Sequence, residues 1–212
     1  MRDDGSWDAE TIEFVTSDGV QLVGDLIAPA NAGDGAANTR AVVVCHPHPQ
    51  YGGDRFNPVV EACCRALVEA NAACLRFDFR SEFGEGVAEQ LDLVAALDVL
   101  AGTFPGADLD VIGYSFGAMV ALGVDDERIG AKALIAPPLG HLPLEPTGGS
   151  PLLLLVPAHD QFATPEQVRP VVDGWVNHGI DAMMEVVEMT DHFLQGRMRR
   201  VADRSTRWLI SR

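Results

Sequence analysis

Gly113-Tyr114-Ser115-Phe116-Gly117 is the stretch of sequence that decides the fold prediction. It ends an apolar run at residues 109–112 and begins a helix-permissive run at residues 118–122. A strand that turns sharply into a helix at a serine needs small residues two positions to either side, because a Cβ there would collide with the neighbouring strand or helix. The turn lifts the serine hydroxyl clear of the sheet and aims the unpaired N–H groups of the helix N-terminus at the same point. We therefore predict that Ser115 is a nucleophile on a strand–turn–helix; the alternative is an ordinary β–α loop with a capping serine.

Short aliphatic strands alternate with amphipathic helices along the chain. Two extended runs flank a turn at residues 17–19, and strands are predicted at residues 41–45, 73–79, 109–114, 131–136, 152–156 and 183–188. Helices are predicted at residues 57–70, 87–100, 118–122, 165–177 and 193–210. This alternation indicates an α/β fold with a mostly parallel, twisted sheet of about eight strands, helices on both faces and antiparallel strands at one edge. We expect a single domain over residues 1–212, without a cap domain, because the segment 137–150 is too short to build one.

Composition and charge argue against several classes of partner. The chain has 212 residues and a net charge of −16, with the acidic residues scattered along the sequence. Such a surface repels nucleic acid and anionic membranes. The N-terminus lacks the apolar core of a signal peptide, and the longest aliphatic run, residues 152–156, is too short to span a bilayer. We expect a cytoplasmic protein that binds a small molecule and no cofactor or metal; the oligomeric state stays open, with a homodimer among the alternatives.

The four cysteines favour a reducing compartment. Their spacing fits no zinc-binding pattern, and three of them lie in apolar segments. We expect them to be buried small hydrophobic residues without disulfides. They are Cys45, Cys63, Cys64 and Cys74.

Three residues that follow predicted strands predict nucleophilic catalysis. In an open α/β sheet, reactive groups collect at the carboxyl ends of the strands, and Ser115, Asp160 and His192 all stand there. A serine hydroxyl needs an imidazole to remove its proton, and the imidazole needs a carboxylate to fix its tautomer and stabilise its charge. The order Ser…Asp…His and the intervals between the three allow the intervening segments to return each group to the same edge. We predict that Ser115 is the nucleophile, Asp160 the acid and His192 the base.

Neighbouring residues offer alternatives for these roles. Asp191 is adjacent to His192, so its side chain is expected to diverge from the imidazole and to belong to the loop. His159 precedes Asp160 and could act only if Asp160 exchanged roles with it. His178 precedes a glycine at a predicted helix end and is expected to have no part in catalysis.

The loop that follows the strand at residues 41–45 predicts one donor of an oxyanion hole. One N–H should come from Phe116, the residue after the nucleophile, and a second from this loop. Its two prolines, at positions 47 and 49, have no N–H, which leaves His48, Gln50 or Tyr51. Of these His48 is the best placed. Candidates for lining a substrate are His46, Tyr51, Tyr114 and His141.

These residues resemble the α/β-hydrolase superfamily, and most of all its small bacterial branch without a lid, related to dienelactone-hydrolase-like proteins. The resembling segments are His46-Pro47-His48-Pro49 with Tyr51-Gly52-Gly53, Leu75-Arg76-Phe77-Asp78-Phe79-Arg80, Gly113-Tyr114-Ser115-Phe116-Gly117-Ala118 and the loops of Asp160 and His192. The resemblance implies a triad of Ser115, Asp160 and His192, with the amides of His48 and Phe116 as the oxyanion hole. It implies a serine hydrolase that cleaves small carboxylic esters or thioesters through an acyl-enzyme.

The sequence also departs from that family. Residues 81–86 are shorter and more acidic than the glycine-rich loop of similar sequences, so a substrate preference does not carry over. Dienelactone hydrolases proper use a cysteine nucleophile, whereas this chain has Ser115. The alternatives are a non-catalytic protein of the same fold that binds a ligand or partner, and a lyase or peroxidase that uses the same three residues. We expect Arg76, Asp78 and Arg80 to form structural ion pairs rather than to reach a charged substrate.

Overall fold

The computed structural model describes residues 9–29, 40–139 and 145–212, and within them it forms one eight-stranded sheet flanked by five α-helices. The strands are β1 (Ala9–Val15), β2 (Gln21–Ile27), β3 (Arg40–Cys45), β4 (Ala73–Phe77), β5 (Asp108–Tyr114), β6 (Ile129–Ile135), β7 (Leu152–Pro157) and β8 (Ala182–Val187). The helices are α1 (Pro58–Glu69), α2 (Glu89–Thr103), α3 (Phe116–Gly123), α4 (Pro165–Asn177) and α5 (Met198–Ile210), and a short 3-10 helix covers Pro49–Tyr51. None of the described helices is long and apolar enough to cross a bilayer.

The strand order is β1-β2-β4-β3-β5-β6-β7-β8, which confirms the predicted mostly parallel sheet. Only the β1–β2 and β2–β4 pairs are antiparallel, so the antiparallel part lies at one edge as expected. β3 and β5 are neighbours, and Cys45 at the end of β3 lies opposite Gly113 near the end of β5. The loops that follow these two strands therefore leave the sheet side by side.

Apolar side chains fill two layers, one on each face of the sheet. On β3, Val43 packs into the layer that contains α2, α3 and α4, whereas Val42 and Val44 pack into the layer that contains α1 and α5. Side chains of a strand alternate between faces, so a strand covered on both faces reads as a continuous apolar run. Burying one such side chain contributes about 1.5–3 kcal/mol. The arrangement confirms the three-layer α/β prediction, and the segment between β6 and β7 leaves no room for a cap domain.

Several predicted boundaries differ from the structure by two or more residues, and two of the differences have a clear local cause. α5 begins at Met198 rather than at residue 193, because Leu194 and Gly196 have positive φ angles of 57° and 71°, which a right-handed helix does not allow. β4 ends at Phe77 rather than at residue 79, because the backbone N–H of Phe79 donates to a histidine ring instead of to a strand.

The charged side chains at the end of β4 and just after it form structural ion pairs, as predicted, but with distant partners rather than with one another. Arg76 contacts Asp25 at 3.1 Å and Glu61 at 2.6 Å. Arg80 contacts Asp18 at 2.8 Å and Asp92 at 2.7 Å, and Asp78 pairs with Arg55. The four cysteines are buried and free, which confirms that prediction also.

Candidate active site

Ser115 stands on a strained turn between β5 and α3. Its φ and ψ angles are 54° and −113°, and its N–H donates to the carbonyl of Ile135 at 2.8 Å. A Cβ on Gly113 would lie 2.4 Å from the carbonyl oxygen of Gly117, and a Cβ on Gly117 would lie 2.6 Å from that of Cys45. Both approaches are closer than a methyl group permits, so the tight turn requires glycine at both positions. A serine held at positive φ is the geometry of a nucleophile elbow.

Ser115, His192 and Asp160 meet at the carboxyl edge of the sheet. The Oγ of Ser115 is 2.9 Å from Nε2 of His192, and Nδ1 of the same ring is 2.8 Å from Oδ2 of Asp160. His192 and Asp160 are 5% and 2% exposed, whereas Ser115 is half-buried at the surface of the site. With the carboxylate accepting from Nδ1–H, Nε2 is left as an acceptor for the serine proton.

The surrounding backbone fixes the two partners of Ser115. The second carboxylate oxygen of Asp160 accepts from the N–H of Phe162 at 2.8 Å and of Ala163 at 3.2 Å. The hydroxyl of Tyr114 donates to the carbonyl of His192 at 3.0 Å, and burial raises the pKa of this phenol above its ordinary value, so it remains a donor. Tyr114 is 4% exposed; its predicted place on the substrate surface is therefore wrong, and it supports the histidine loop from below.

Two candidate oxyanion donors have no hydrogen-bond partner among the described residues. The N–H of Gln50 donates to the His48 ring at 3.2 Å and the N–H of Tyr51 to the His48 carbonyl at 3.1 Å, which leaves only His48 of the three loop amides considered. Across the described residues, the N–H groups of His48 and Phe116 make no hydrogen bond. The ring centroids of His48 and Phe116 are 4.9 Å apart, so the two residues are neighbours.

His46 has a structural position rather than a substrate-lining one. The residue is 1% exposed; its Nδ1–H donates to the carbonyl of Pro47 at 2.6 Å and its Nε2 accepts from the N–H of Phe79 at 3.0 Å. Burial lowers its pKa, which keeps the ring neutral and allows both contacts. The expectation that His46 lines the substrate is wrong, because both ring nitrogens are used to tie the β3 loop to the segment after β4.

Asp191, His159 and His178 are not part of the hydrogen-bonded group. Asp191 accepts from the N–H of Phe193 at 3.0 Å, so its carboxylate diverges from the imidazole as expected. His159 is exposed, and His178 is the C-terminal cap of α4. Tyr51 is 87% exposed beside His48, where its lining role stays a prediction, and His141 lies outside the described residues.

Three phenylalanines at the site were missed by the sequence analysis. Phe162 and Phe193 lie against the His192 ring, at centroid distances of 4.6 and 5.8 Å. Phe83 lies 4.8 Å from the His48 ring. A signal existed for the first two, since one follows Asp160 by two positions and the other directly follows His192.

The loop at residues 81–86 borders this region, as the sequence analysis expected. It is held by the buried carboxylate of Glu89, which accepts from the N–H groups of Gly84 at 2.8 Å and Gly86 at 2.9 Å. The same loop carries Phe83 to the rings of His48 and Phe116. Within the described ranges, no group of three or more His, Cys, Asp or Glu side chains is placed to hold a metal ion.

The fold is shared with solved α/β serine hydrolases. An α/β serine hydrolase homologue from Coxiella burnetii has a TM-score of 0.78 and 27% identity, over 94% of this chain and 97% of that chain. The chain belongs to the α/β-hydrolase superfamily. A second α/β-hydrolase, a serine hydrolase without a lid from Xanthomonas campestris, has a TM-score of 0.76 and 26% identity, over 93% of this chain and 95% of that chain. The present α/β-hydrolase therefore belongs with the small bacterial members that lack a lid.

A relative of this chain comes from Rickettsia prowazekii. This uncharacterised protein is 30% identical to the α/β-hydrolase over 175 residues, which are 74% of this chain and 73% of the relative. No protein-family model matches the sequence.

Proposed function

We propose that this α/β-hydrolase is a serine esterase that cleaves small carboxylic esters, or thioesters, through an acyl-enzyme. The observation that carries the proposal is the continuous contact from Ser115 Oγ to His192 Nε2, 2.9 Å, and from Nδ1 of that ring to Asp160, 2.8 Å. Hydroxyl, imidazole and carboxylate in this order can generate a nucleophile at neutral pH.

In the proposed first step, Ser115 Oγ attacks the carbonyl carbon of the ester while its proton passes to Nε2 of His192. Asp160 stabilises the imidazolium that results. Negative charge develops on the former carbonyl oxygen, which accepts from the free N–H groups of His48 and Phe116. Because these amides are held by the loop and by the start of α3, they need little reordering as the charge forms.

The tetrahedral intermediate collapses when His192 returns the proton to the alcohol oxygen. The carbon–oxygen bond to the alcohol breaks, and the acyl group remains on Ser115 as an ester. Water then attacks this acyl-enzyme with His192 again acting as the base. The second collapse releases the carboxylic acid and restores the serine hydroxyl.

The shape of the site favours small substrates. Between β6 and β7, where larger relatives can carry a cap, the chain has only a connecting segment. Ser115 is therefore reached from solvent without a lid, and a long acyl chain would have little apolar surface to cover it. A reducing cytoplasm remains the proposed location, since the four cysteines are buried and free.

The proposal is tested by the variant Ser115→Ala with p-nitrophenyl acetate as substrate. We expect kcat/KM to fall by about 10⁴-fold or more, because the nucleophile is lost while the fold is kept. Ser81→Ala is the matched control, as Ser81 is exposed in the neighbouring loop, and it should retain activity. A fluorophosphonate probe should label Ser115 of the wild type, as read by peptide mass.

Two outcomes would contradict the proposal. One is retention of ester hydrolysis by Ser115→Ala, and the other is probe label on another residue. Inertness of the wild type towards esters, thioesters and the probe would favour the alternative of a non-catalytic binding protein.

A further inference from the structure

Two half-exposed phenyl rings lie against the imidazole of His192. The Phe162 ring has an interplanar angle of 65° to the imidazole at 4.6 Å, and the Phe193 ring one of 89° at 5.8 Å. Their exposed fractions are 46% and 51%. Two large apolar side chains that expose this much surface beside one reactive group form an apolar patch of the kind that binds ligands.

Hydrogen bonds restrict the backbone at both phenylalanines. The N–H of Phe162 donates to Asp160 at 2.8 Å, and the N–H of Phe193 donates to Asp191 at 3.0 Å. In each case an aspartate accepts from the N–H two residues on, a turn that restricts the backbone. With the backbone restricted, only side-chain torsions are left to order when a ligand covers the rings.

The proposed reaction determines which part of a substrate meets these rings. His192 Nε2 must return its proton to the alcohol oxygen, so that oxygen lies about 3 Å from the nitrogen at the moment of collapse. Whatever is attached to the oxygen extends past the edge of the imidazole. Among the described residues, Phe162 and Phe193 are the large exposed apolar side chains whose rings contact this imidazole.

We propose that Phe162 and Phe193 form the alcohol subsite of this enzyme and that the subsite takes uncharged aromatic alcohols, of which benzyl alcohol is the simplest. The inference rests on the proposed esterase function and adds the substrate class. Aromatic rings pair with phenyl edges and faces with a gain beyond simple burial, which a saturated ring of equal size does not obtain.

Charges around the subsite disfavour an anionic alcohol. The two neighbouring carboxylates, Asp160 and Asp191, already accept hydrogen bonds from the imidazole and from a backbone N–H. The guanidinium of Arg197 donates to the carbonyls of Glu188 and Gly196. With a net charge of −16, the molecule as a whole repels anionic substrates.

The test compares three acetates whose alcohols have similar basicity: benzyl acetate, cyclohexylmethyl acetate and isobutyl acetate. For the wild type we expect kcat/KM for benzyl acetate to exceed that for isobutyl acetate by about tenfold, with cyclohexylmethyl acetate between them. Phe162→Ala and Phe193→Ala should each lower the benzyl value by about 3- to 10-fold and the isobutyl value by less, so that the ratio of the two falls. Phe162→Leu keeps an apolar side chain of similar bulk. This variant should lose the preference for benzyl acetate over cyclohexylmethyl acetate and should keep the preference of both over isobutyl acetate.

Phe56→Ala is the matched control. Phe56 is also half-exposed, at 55%, but its ring lies under the guanidinium of Arg55 at 4.3 Å, away from the imidazole contacts. This variant should keep the wild-type preference for benzyl acetate. Far-ultraviolet circular dichroism of each variant verifies folding, and Phe162→Leu serves if Phe162→Ala does not fold.

The inference is overturned if the wild type hydrolyses the three acetates equally, or if the alanine variants lose activity equally on all three. Equal loss would mean that the rings position His192 and do not touch the alcohol. A preference for acetylcholine over benzyl acetate would also overturn it, because the subsite would then recognise a cation. Fluorophosphonate labelling separates the two proposals: labelled Ser115 with no aromatic preference rejects the subsite alone, whereas an unlabelled Ser115 rejects the esterase function itself.

Discussion

At the scale of single residues, Asp160 connects the reactive histidine to its own loop. One carboxylate oxygen accepts from the imidazole of His192, and the other accepts from the N–H groups of Phe162 and Ala163. The same side chain therefore sets the tautomer of the imidazole and the position of an aromatic neighbour. Asp191, which the sequence places directly beside the histidine, accepts from the N–H of Phe193 in the same way, so its carboxylate turns away from the imidazole and does not set the tautomer.

Replacing Asp160 with asparagine should separate these two effects. The amide oxygen can still accept from Phe162 N–H, but an NH₂ group facing Nδ1 favours the tautomer that protonates Nε2. We expect kcat for p-nitrophenyl acetate to fall by about 10³- to 10⁴-fold with little change in the melting temperature. Asp191→Asn is the matched control and should remain within about threefold of the wild type; comparable losses in both variants would reject the assignment of Asp160.

At the scale of elements, the turn between β5 and α3 brings three segments into contact. Gly113 lets the start of α3 lie against β5, and Gly117 lets it lie against the end of β3, where the His48 loop begins. This close approach is what places the N–H groups of Phe116 and His48 in one region. The sequence indicated the turn, whereas the direction in which the His48 loop presents its free N–H depends on the hydrogen bonds of Gln50 and Tyr51.

An alanine at Gly117 should destabilise the fold. Its Cβ would lie 2.6 Å from the carbonyl of Cys45 and 2.7 Å from that of His46, both backbone atoms that cannot move without shifting β3. We expect the free energy of unfolding in urea to fall by about 2–4 kcal/mol. Gly174→Ala is the control, because Gly174 lies within α4 with nothing inside 4 Å of the added methyl group.

The free energy of unfolding of the control Gly174→Ala should rise by about 0.5–1 kcal/mol, the usual gain of alanine over glycine in a helix. Equal stability of Gly117→Ala and the wild type would show that β3 and α3 have more room than the contacts indicate.

At the scale of the whole molecule, the sheet encloses one lysine that no site uses. Lys132 on β6 is 1% exposed, and its Nζ donates to the carbonyls of Val124 at 2.5 Å and Thr147 at 3.2 Å. The ammonium thereby ties the segment after α3 to the segment before β7. Burial disfavours the charged form, which lowers the pKa of Lys132 from 10.5 to about 8 in spite of the nearby Asp125 and Asp126.

Lys132 should give the stability of the protein a characteristic dependence on pH. Between pH 8 and about 10.5 the unfolded chain keeps the lysine proton and the folded chain has released it. The contribution of Lys132 to the free energy of unfolding therefore rises with pH over this range, by on the order of 3 kcal/mol. Lys132→Met cannot titrate, so the difference between wild type and variant in urea unfolding should grow in favour of the wild type from pH 7 to pH 10.5.

The comparison with Lys132→Met cancels the alkaline loss of stability from other buried groups. Burial raises the pKa of the Tyr114 phenol and of the Cys63 thiol, which weakens both proteins alike at high pH. A difference that stays constant from pH 7 to pH 10.5 would mean that Lys132 keeps an ordinary pKa in the folded state.

Local sequence pattern was sufficient for the order of strands and helices, for the elbow at Ser115 and for the candidates Asp160 and His192. All of these features depend on local sequence: the spacing of apolar residues, glycine at a turn that leaves no space for a Cβ, and reactive side chains at the ends of strands. Tertiary packing decided what such patterns do not encode. It buried His46 and Tyr114 beneath the site and, among the described residues, left the N–H of His48 as the unbonded one of the three loop amides. It also delayed the start of α5 through Leu194 and Gly196 and brought Phe162 and Phe193 to one imidazole. Exposure and hydrogen-bond partners are set by segments far apart in the chain, so one residue's neighbours in sequence do not determine them.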